Sequence, residues 1–158
     1  MELGFTEGLM EAEHLDSKVF AEDELVAITP RGHPFLKQKR VTVRDLCREP
    51  FVVREEGSGT RAVVEQALRK RGLSIKPVLS LAGTEAVKHA VIAGIGLAIV
   101  SRLAIGCELR AGSLFVIPVT DLKIQRPLHL QTLQGRTPGP AAARFLEILA
   151  SQKLPRGR

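Results

Sequence analysis

The run Glu55-Glu56-Gly57-Ser58-Gly59-Thr60-Arg61 gathers carboxylates, hydroxyls, glycines and a guanidinium between two regular segments. Phe51-Val52-Val53-Arg54 before it reads as a strand, and a helix from about Thr60 to Arg71 follows. Glycines let the backbone turn without a Cβ clash. The first amides of a helix lack an intrahelical acceptor and sit at the positive end of its dipole, so they form a seat for an anion. Ser58 and Thr60 add hydroxyl donors, and Arg54 or Arg61 adds charge. The same residues equally suit a plain cap, with Ser58 or Thr60 doing no more than closing the helix end.

Other chemistries fit less well. Gly57 to Ala62 matches the spacing G-x-G-x-x-G/A of dinucleotide sites, but Glu55 and Glu56 would repel a pyrophosphate. Leu81-Ala82-Gly83 stands where the second strand of such a site ends in an acid. No Walker lysine follows the glycines, and no G-x-S-x-G elbow exists. Gly94-Ile95-Gly96 lies between a helix and a strand, the order of a tight turn rather than a phosphate loop. In extended backbone adjacent side chains diverge, so of Glu55 and Glu56 one is expected in a cleft and one in solvent. Cys47 and Cys107 are far apart and near no histidine pair, so metal-site spacing is absent and two partly buried thiols are expected, with a disulfide left open. His14, His33, His89 and His129 are expected to be structural or on the surface.

These groups sit in a chain of 158 residues with 44% hydrophobic and 25% charged side chains and a formal charge of +6. The composition excludes a disordered tail, a disulfide scaffold and a coiled coil. No window nears the roughly 20 apolar residues that a bilayer requires, and no secretory leader opens the sequence. The expected setting is cytoplasmic, without membrane contact. The basic clusters (Lys37, Lys39 and Arg40; Arg69, Lys70 and Arg71; Lys153, Arg156 and Arg158) are not interleaved with aromatics, and Trp and Tyr are absent. A stacking platform for nucleic acid is therefore not expected.

The elements that must position the loop follow from pattern. Leu3 to Thr6 reads as a short strand, and Met10 to Ser17 as a polar connector. An extended run follows over Val19-Phe20 and Leu25 to Ile28. Thr42 caps a brief helix over Val43 to Leu46. Ile75 to Leu81 is a strand, and Thr84 caps a helix through Ala93. Leu97 to Val100 is a buried strand, with a short helical segment around Leu103 and Ala104. Leu114 to Ile117 and Leu128 to Leu133 are strands, and Pro140 opens a last helix. Strands alternating with helices predict an α/β fold with mainly parallel pairing. The apolar strand at the very start reads as the middle of an α/β unit.

Taken in order, several segments resemble the effector-binding domain of LysR-type transcriptional regulators. Leu3-Gly4-Phe5-Thr6-Glu7-Gly8 is similar to the family's D-x-G-hydrophobic strand. Glu24-Leu25-Val26-Ala27-Ile28-Thr29-Pro30 with His33-Pro34-Phe35 resembles its crossover strand and turn. Val43-Arg44-Asp45-Leu46 with Pro50-Phe51-Val52, the loop Gly57-Ser58-Gly59-Thr60-Arg61, Gly94 to Val100, and the helix from Pro140 resemble further family segments. Ser101 departs from the pattern, standing where many members have Pro. The resemblance implies two Rossmann-like subdomains of the type 2 periplasmic-binding-protein kind. Residues 19–122 would be a complete second subdomain, and 1–18 and 123–158 part of the first. It implies a non-enzymatic sensor without a cofactor, which binds a small, anionic effector through Thr6, Ser58, Gly59 and Thr60, with Arg61 as a charge partner. The winged helix-turn-helix and the opening part of the first subdomain have no counterpart here, so the chain is expected to be a fragment or a truncated product with weakened effector affinity. Nucleic acid would be met only by that missing segment. The apolar edge at Leu3 and Phe5 would favour a homo-oligomer. A stand-alone solute-binding protein of the same fold, and a nucleotide-binding enzyme built on Gly57-Ser58-Gly59, are the competing readings.

Overall fold

The computed structural model describes residues 2–7 and 13–151. The basic tail at Lys153, Arg156 and Arg158 and the start of the connector at Met10 lie outside these residues. The strands are β1 (Leu3–Thr6), β2 (Leu15–Pro30), β3 (Pro50–Arg54), β4 (Lys76–Leu81), β5 (Ala98–Ser101), β6 (Leu114–Val116) and β7 (Ile124–Leu133). The helices are α1 (Val43–Leu46), α2 (Gly59–Arg69), α3 (Thr84–Ile92), α4 (Gly106–Ala111) and α5 (Pro140–Ser151). They fall into two compact units. One combines Met1–Asp23 with Gln125–Arg158, and the other is Glu24–Ile124.

In the first unit β7 lies between β1 and β2. β1 and β7 are antiparallel, with Phe5 opposite Leu130 and Thr6 opposite His129. Side chains alternate across a sheet, so Leu3 and Phe5 share one face and Gly4 and Thr6 the other. Phe5 stands edge-on to Phe20 at 5.1 Å and to Phe145 of α5 at 5.9 Å. The expected apolar edge is thus partly covered, and Phe5 stays 47% exposed. The opposite face is polar, with His129 and Gln131 both buried. The expected connector to Ser17 is strand from Leu15 onward, and β2 runs unbroken to Pro30.

In the second unit the continuation of β2 pairs antiparallel with β5, from Leu25 opposite Ser101 to Ile28 opposite Ala98. It also pairs antiparallel with β6. Parallel pairing is confined to β3 with β4 and to the isolated bridges Val41 with Val119 and Phe51 with Leu97. The expectation of mainly parallel pairing is corrected here. A strand–helix–strand crossover makes β3 and β4 parallel, but no crossover helix feeds β2, which runs against β5. Alternation then sorts the core. Leu25 and Ala27 join Val64 and Leu68 of α2, while Val26 and Ile28 join Val87, Ala90 and Val91 of α3.

The caps explain where elements begin. Thr42 and Asp45 form a reciprocal capping box on α1. Ser101 closes the 3-10 turn Arg102–Ile105 by accepting the Leu103 amide at 3.2 Å. α3 differs from expectation, because Gly83 at φ +82° takes the cap position and Thr84 is the first helical residue. The helical segment after β5 also extends further than expected, through α4 to Gly112 in the left-handed region. Both cysteines are free, and Cys107 is exposed rather than partly buried. Burial raises the pKa of the Cys47 thiol.

Just before β5, Leu97 is held close against β3. Val52 N–H donates to Leu97 O and Leu97 N–H to Pro50 O, both at 2.8 Å. A Cβ on Gly96 would stand 2.6 Å from Pro50 O, an atom of the rigid main chain. Gly96→Ala should therefore lower stability by about 1–3 kcal/mol, as overpacking does. Urea unfolding checks this, and the Gly94→Ala variant does not serve as a control because Gly94 has φ +78°. Gly59→Ala, with no atom within 4 Å and ordinary backbone, is the proper control.

Candidate functional site

β3 delivers Arg54 and Glu55 to the end of the parallel pair, where the chain turns into α2. Gly57 at φ +85° makes the turn, and Ser58 occupies the cap position with its Oγ accepting the Arg61 amide at 3.4 Å. α2 therefore begins at Gly59, one residue earlier than expected. Ser58 and Thr60 are 8% and 7% exposed. The amides of Gly59 and Thr60 belong to the first turn, where helix geometry offers no i−4 acceptor. Thr60 also borders a shallow hollow whose walls include Phe51, Val53, Val64, Ile75 and Ile99.

The charged groups around this turn are largely paired. Arg54 grips Glu55 through two bonds of 2.7 Å, Nε to Oε2 and Nη2 to Oε1, and its Nη1 donates to Thr84 Oγ1 at 3.0 Å. Glu55 Oε2 also accepts the Gly83 amide at 3.4 Å, so one carboxylate ties β3 to the start of α3. The Arg54 guanidinium is the main reason that the Glu55 carboxyl is lowered to about 2. Arg61, expected as a charge partner for a ligand, turns instead to Glu65 at 2.7 Å and to the Arg54 carbonyl at 3.2 Å. The Glu65 carboxylate raises the pKa of Arg61.

Thr6, the other expected contact, lies on β1 in the first unit, opposite His129. Ser58, Gly59, Thr60 and Arg61 come together on one turn of the second unit. The histidines were expected to be structural or superficial, and His129 is buried, with Nδ1 3.0 Å from Ser17 Oγ. Its Nε2 has no hydrogen-bond partner among the described residues. The signal in the sequence was alternation, since Leu128 and Leu130 stand on one face and His129 and Gln131 on the other. Among the described residues no group of three His, Cys, Asp or Glu side chains could hold a metal ion. No helix among them is long and apolar enough to cross a membrane.

The profile of the LysR substrate binding domain matches residues 1–153. The RuBisCO operon transcriptional regulator of Allochromatium vinosum is 35% identical over 138 residues, which cover 87% of this chain and 46% of that protein. An uncharacterized HTH-type transcriptional regulator of Mycobacterium tuberculosis is 40% identical over 150 residues, covering 92% and 48% respectively. The chain thus spans about half the length of these curated relatives. The Synechocystis PCC6803 CcmR regulatory domain in complex with 2-PG superposes with a TM-score of 0.87 at 26% identity, covering 98% of this chain and 75% of that one. The effector binding domain of QuiR in complex with shikimate matches in fold, with a TM-score of 0.79 at 17% identity and coverage of 94% and 69%.

The Arg54–Glu55 clamp predicts a pH signature. Glu55 ordinarily titrates near 4.5 and here near 2, so its contribution to stability is complete above about pH 4.5 and is lost as pH falls toward 2. Glu55→Gln should be less stable than the parent at pH 7, and the gap should close between about pH 5 and pH 2. Parallel urea-midpoint curves across that range would contradict the clamp.

Proposed function

The chain belongs to the LysR substrate-binding domain family, and on that premise we propose that it senses a small anionic metabolite for a transcriptional regulator. Glu24–Ile124 serves as the second subdomain of a two-subdomain sensor, and the remainder contributes to the first. The effector lies against Ser58, Gly59 and Thr60 of that second subdomain. Ligand binding favours one arrangement of the subdomains by differential affinity, and DNA-binding heads outside this chain read the change. The protein works in the cytoplasm and performs no catalysis of its own.

One observation carries the anion reading: the α2 N-terminus opens at the carboxyl end of β3, with two nearly buried hydroxyl residues, Ser58 at its cap and Thr60 in its first turn. Ligands of open α/β sheets bind at the carboxyl ends of strands. Because Arg54 and Arg61 already hold Glu55 and Glu65, attraction for the effector comes from first-turn amides and hydroxyls rather than from a free guanidinium. That favours compact anions with several acceptor oxygens. Relatives named as transcriptional regulators, and a structural neighbour bound to 2-PG, support the same class.

The same reading includes self-association. Phe5, Phe145 and Ile148 in the first unit are each about half exposed, and apolar surface of this kind is commonly covered in an assembly. Sedimentation should show an oligomer that F145E/I148E converts to monomer, and a parent that sediments as a monomer would overturn this part.

Thermal shift with 2-PG tests the site. The parent should gain stability, and Thr60→Val, which keeps the side-chain shape, should weaken binding by roughly tenfold or more through loss of a bond to a charged group. An equal shift in parent and variant, or none in the parent, would overturn the assignment.

A further inference from the structure

The charge of the second unit is unevenly placed. Segments 37–49, 69–76 and 121–123 hold ten Lys and Arg against three Asp and Glu, while the rest of Glu24–Ile124 holds six of each. The first unit is nearly neutral, with seven basic and eight acidic residues. The positive balance of the chain therefore originates in these three segments.

The fold brings them together. The Thr120 amide donates to Val41 O at 3.0 Å, the Val43 amide donates to Asp121 Oδ1 at 2.8 Å, and Arg71 Nη2 donates to Asp121 O at 3.5 Å. Lys76 opens β4 opposite Pro50, where the chain leaving α1 enters β3. The segments thus meet at the end of the unit where β3 and β4 start, and Ser58 to Thr60 lie at the other end of α2. α2 has 11 residues, so at about 1.5 Å per residue its ends are roughly 15 Å apart.

Pairing follows the same division. Elsewhere in the unit Arg54, Arg61, Lys88 and Arg102 are each held by a carboxylate at 2.7 Å. Lys37, Lys39, Arg40, Arg44, Arg69 and Lys70 are exposed and make no ion pair among the described residues. Two of the three local acids are committed to α1, Asp45 in its capping box and Asp121 on the Val43 amide. The helix dipole accounts for Arg69 and Lys70 at the end of α2, but Lys39 and Arg40 stand before the start of α1, where it favours anions.

An unpaired cationic field calls for a polyanion. None of the exposed large apolar side chains lies in these segments, so nothing here inserts into a bilayer or forms the core of a protein interface. Phe35 is 6% exposed and cannot stack on bases. Contact with the regularly spaced phosphates of a duplex asks for neither stacking nor a helix shaped for a groove. The lack of Trp and Tyr excludes a stacking platform and leaves this contact open.

We propose that this end of the second unit lies against the phosphate backbone of duplex DNA and holds it without regard to sequence. The choice of DNA rests on the regulatory reading above, which places a duplex beside the chain, and the contact adds to that of the DNA-binding heads. The expectation that nucleic acid is met only outside this chain then applies to base readout alone.

Fluorescence anisotropy of a labelled duplex of about 25 base pairs and arbitrary sequence, titrated with the chain, tests this. Binding should be micromolar at about 50 mM salt and weaken steeply by about 200 mM. R69Q/K70Q and K39Q/R40Q should each weaken it at least about tenfold at low salt and lower the salt slope by about two, one for each phosphate contact. Both should keep the parent's circular dichroism, since exposed substitutions change stability little. K153Q/R156Q/R158Q, which removes charge from the C-terminal tail, should retain parental affinity, and so should Thr60→Val. A parent that shifts with 2-PG but leaves the duplex free at about 100 μM chain in low salt would sink this contact and spare the effector reading. Equal weakening by the tail variant, or tighter binding to poly-L-glutamate or to phosphatidylserine vesicles than to the duplex, would also overturn the proposal.

Discussion

Arg126 and Asp23 form a buried ion pair within the first unit, at the positions where β7 and β2 pass to and from the second. Arg126 Nε and Nη2 reach Asp23 Oδ2 at 2.9 and 2.8 Å, and Nη1 reaches Glu7 at 2.6 Å. The Arg126 and Asp23 side chains are 4% and 1% exposed. Two charges removed from water are costly, and leaving either alone costs about 3–5 kcal/mol. The pair therefore acts less as a source of stability than as a constraint on register. A one-residue slip of β7 would turn every side chain to the other face. It would set His129 and Gln131 where Leu128 and Leu130 stand, against the Phe5–Phe20–Phe145 cluster. With the register held, Thr6 and His129 face together, and the polar side of this small sheet is defined.

The second unit handles its charges in the same way. Lys88 is 4% exposed, yet Glu108 at 2.7 Å, Glu85 at 2.8 Å and the Ala104 carbonyl at 2.9 Å surround its ammonium. Desolvation alone would lower its pKa, and the Glu108 and Glu85 carboxylates together raise it. Arg54 and Arg61 are likewise committed to neighbours on their own turn. Once the side-chain charges are neutralised locally, the field at the start of α2 is left to backbone dipoles. Glu55, close in sequence to the proposed anion seat and repulsive if unpaired, is held by Arg54 and the Gly83 amide. An acidic loop and the proposed anion seat are compatible for this reason.

Much of the second unit was legible because local chemistry and tertiary demand agree there. Thr42 and Asp45 announce α1, and the apolar spacing at Val64 and Leu68 announces the buried face of α2. Where they disagree, pattern failed. The first half of β2 carries Asp16, Ser17 and Lys18, all exposed, and an exposed Val19. A strand facing solvent has no alternation to read, because its ladder bonds are made by backbone alone. Pro127 similarly hid the start of β7, since proline inside a strand offers no amide to the ladder. The mainly parallel pairing expected held for β3 and β4, where a helix intervenes between partners, and at two isolated bridges. Ser58, Gly59 and Thr60 were visible as a helix start from composition. The partners of Arg54 and Arg61 were not, because a guanidinium can reach several carboxylates and only the folded backbone selects one.

The account rests on a helix end, with its amides and nearly buried hydroxyls, that receives a small anion in a protein of a sensing family. Amide chemical shifts read that contact without altering any residue. On titration of the isotopically labelled chain with 2-PG, the Gly59 and Thr60 amides should move most and saturate together. Unmoved amides at these two positions, while signals elsewhere saturate or none change, would contradict the account.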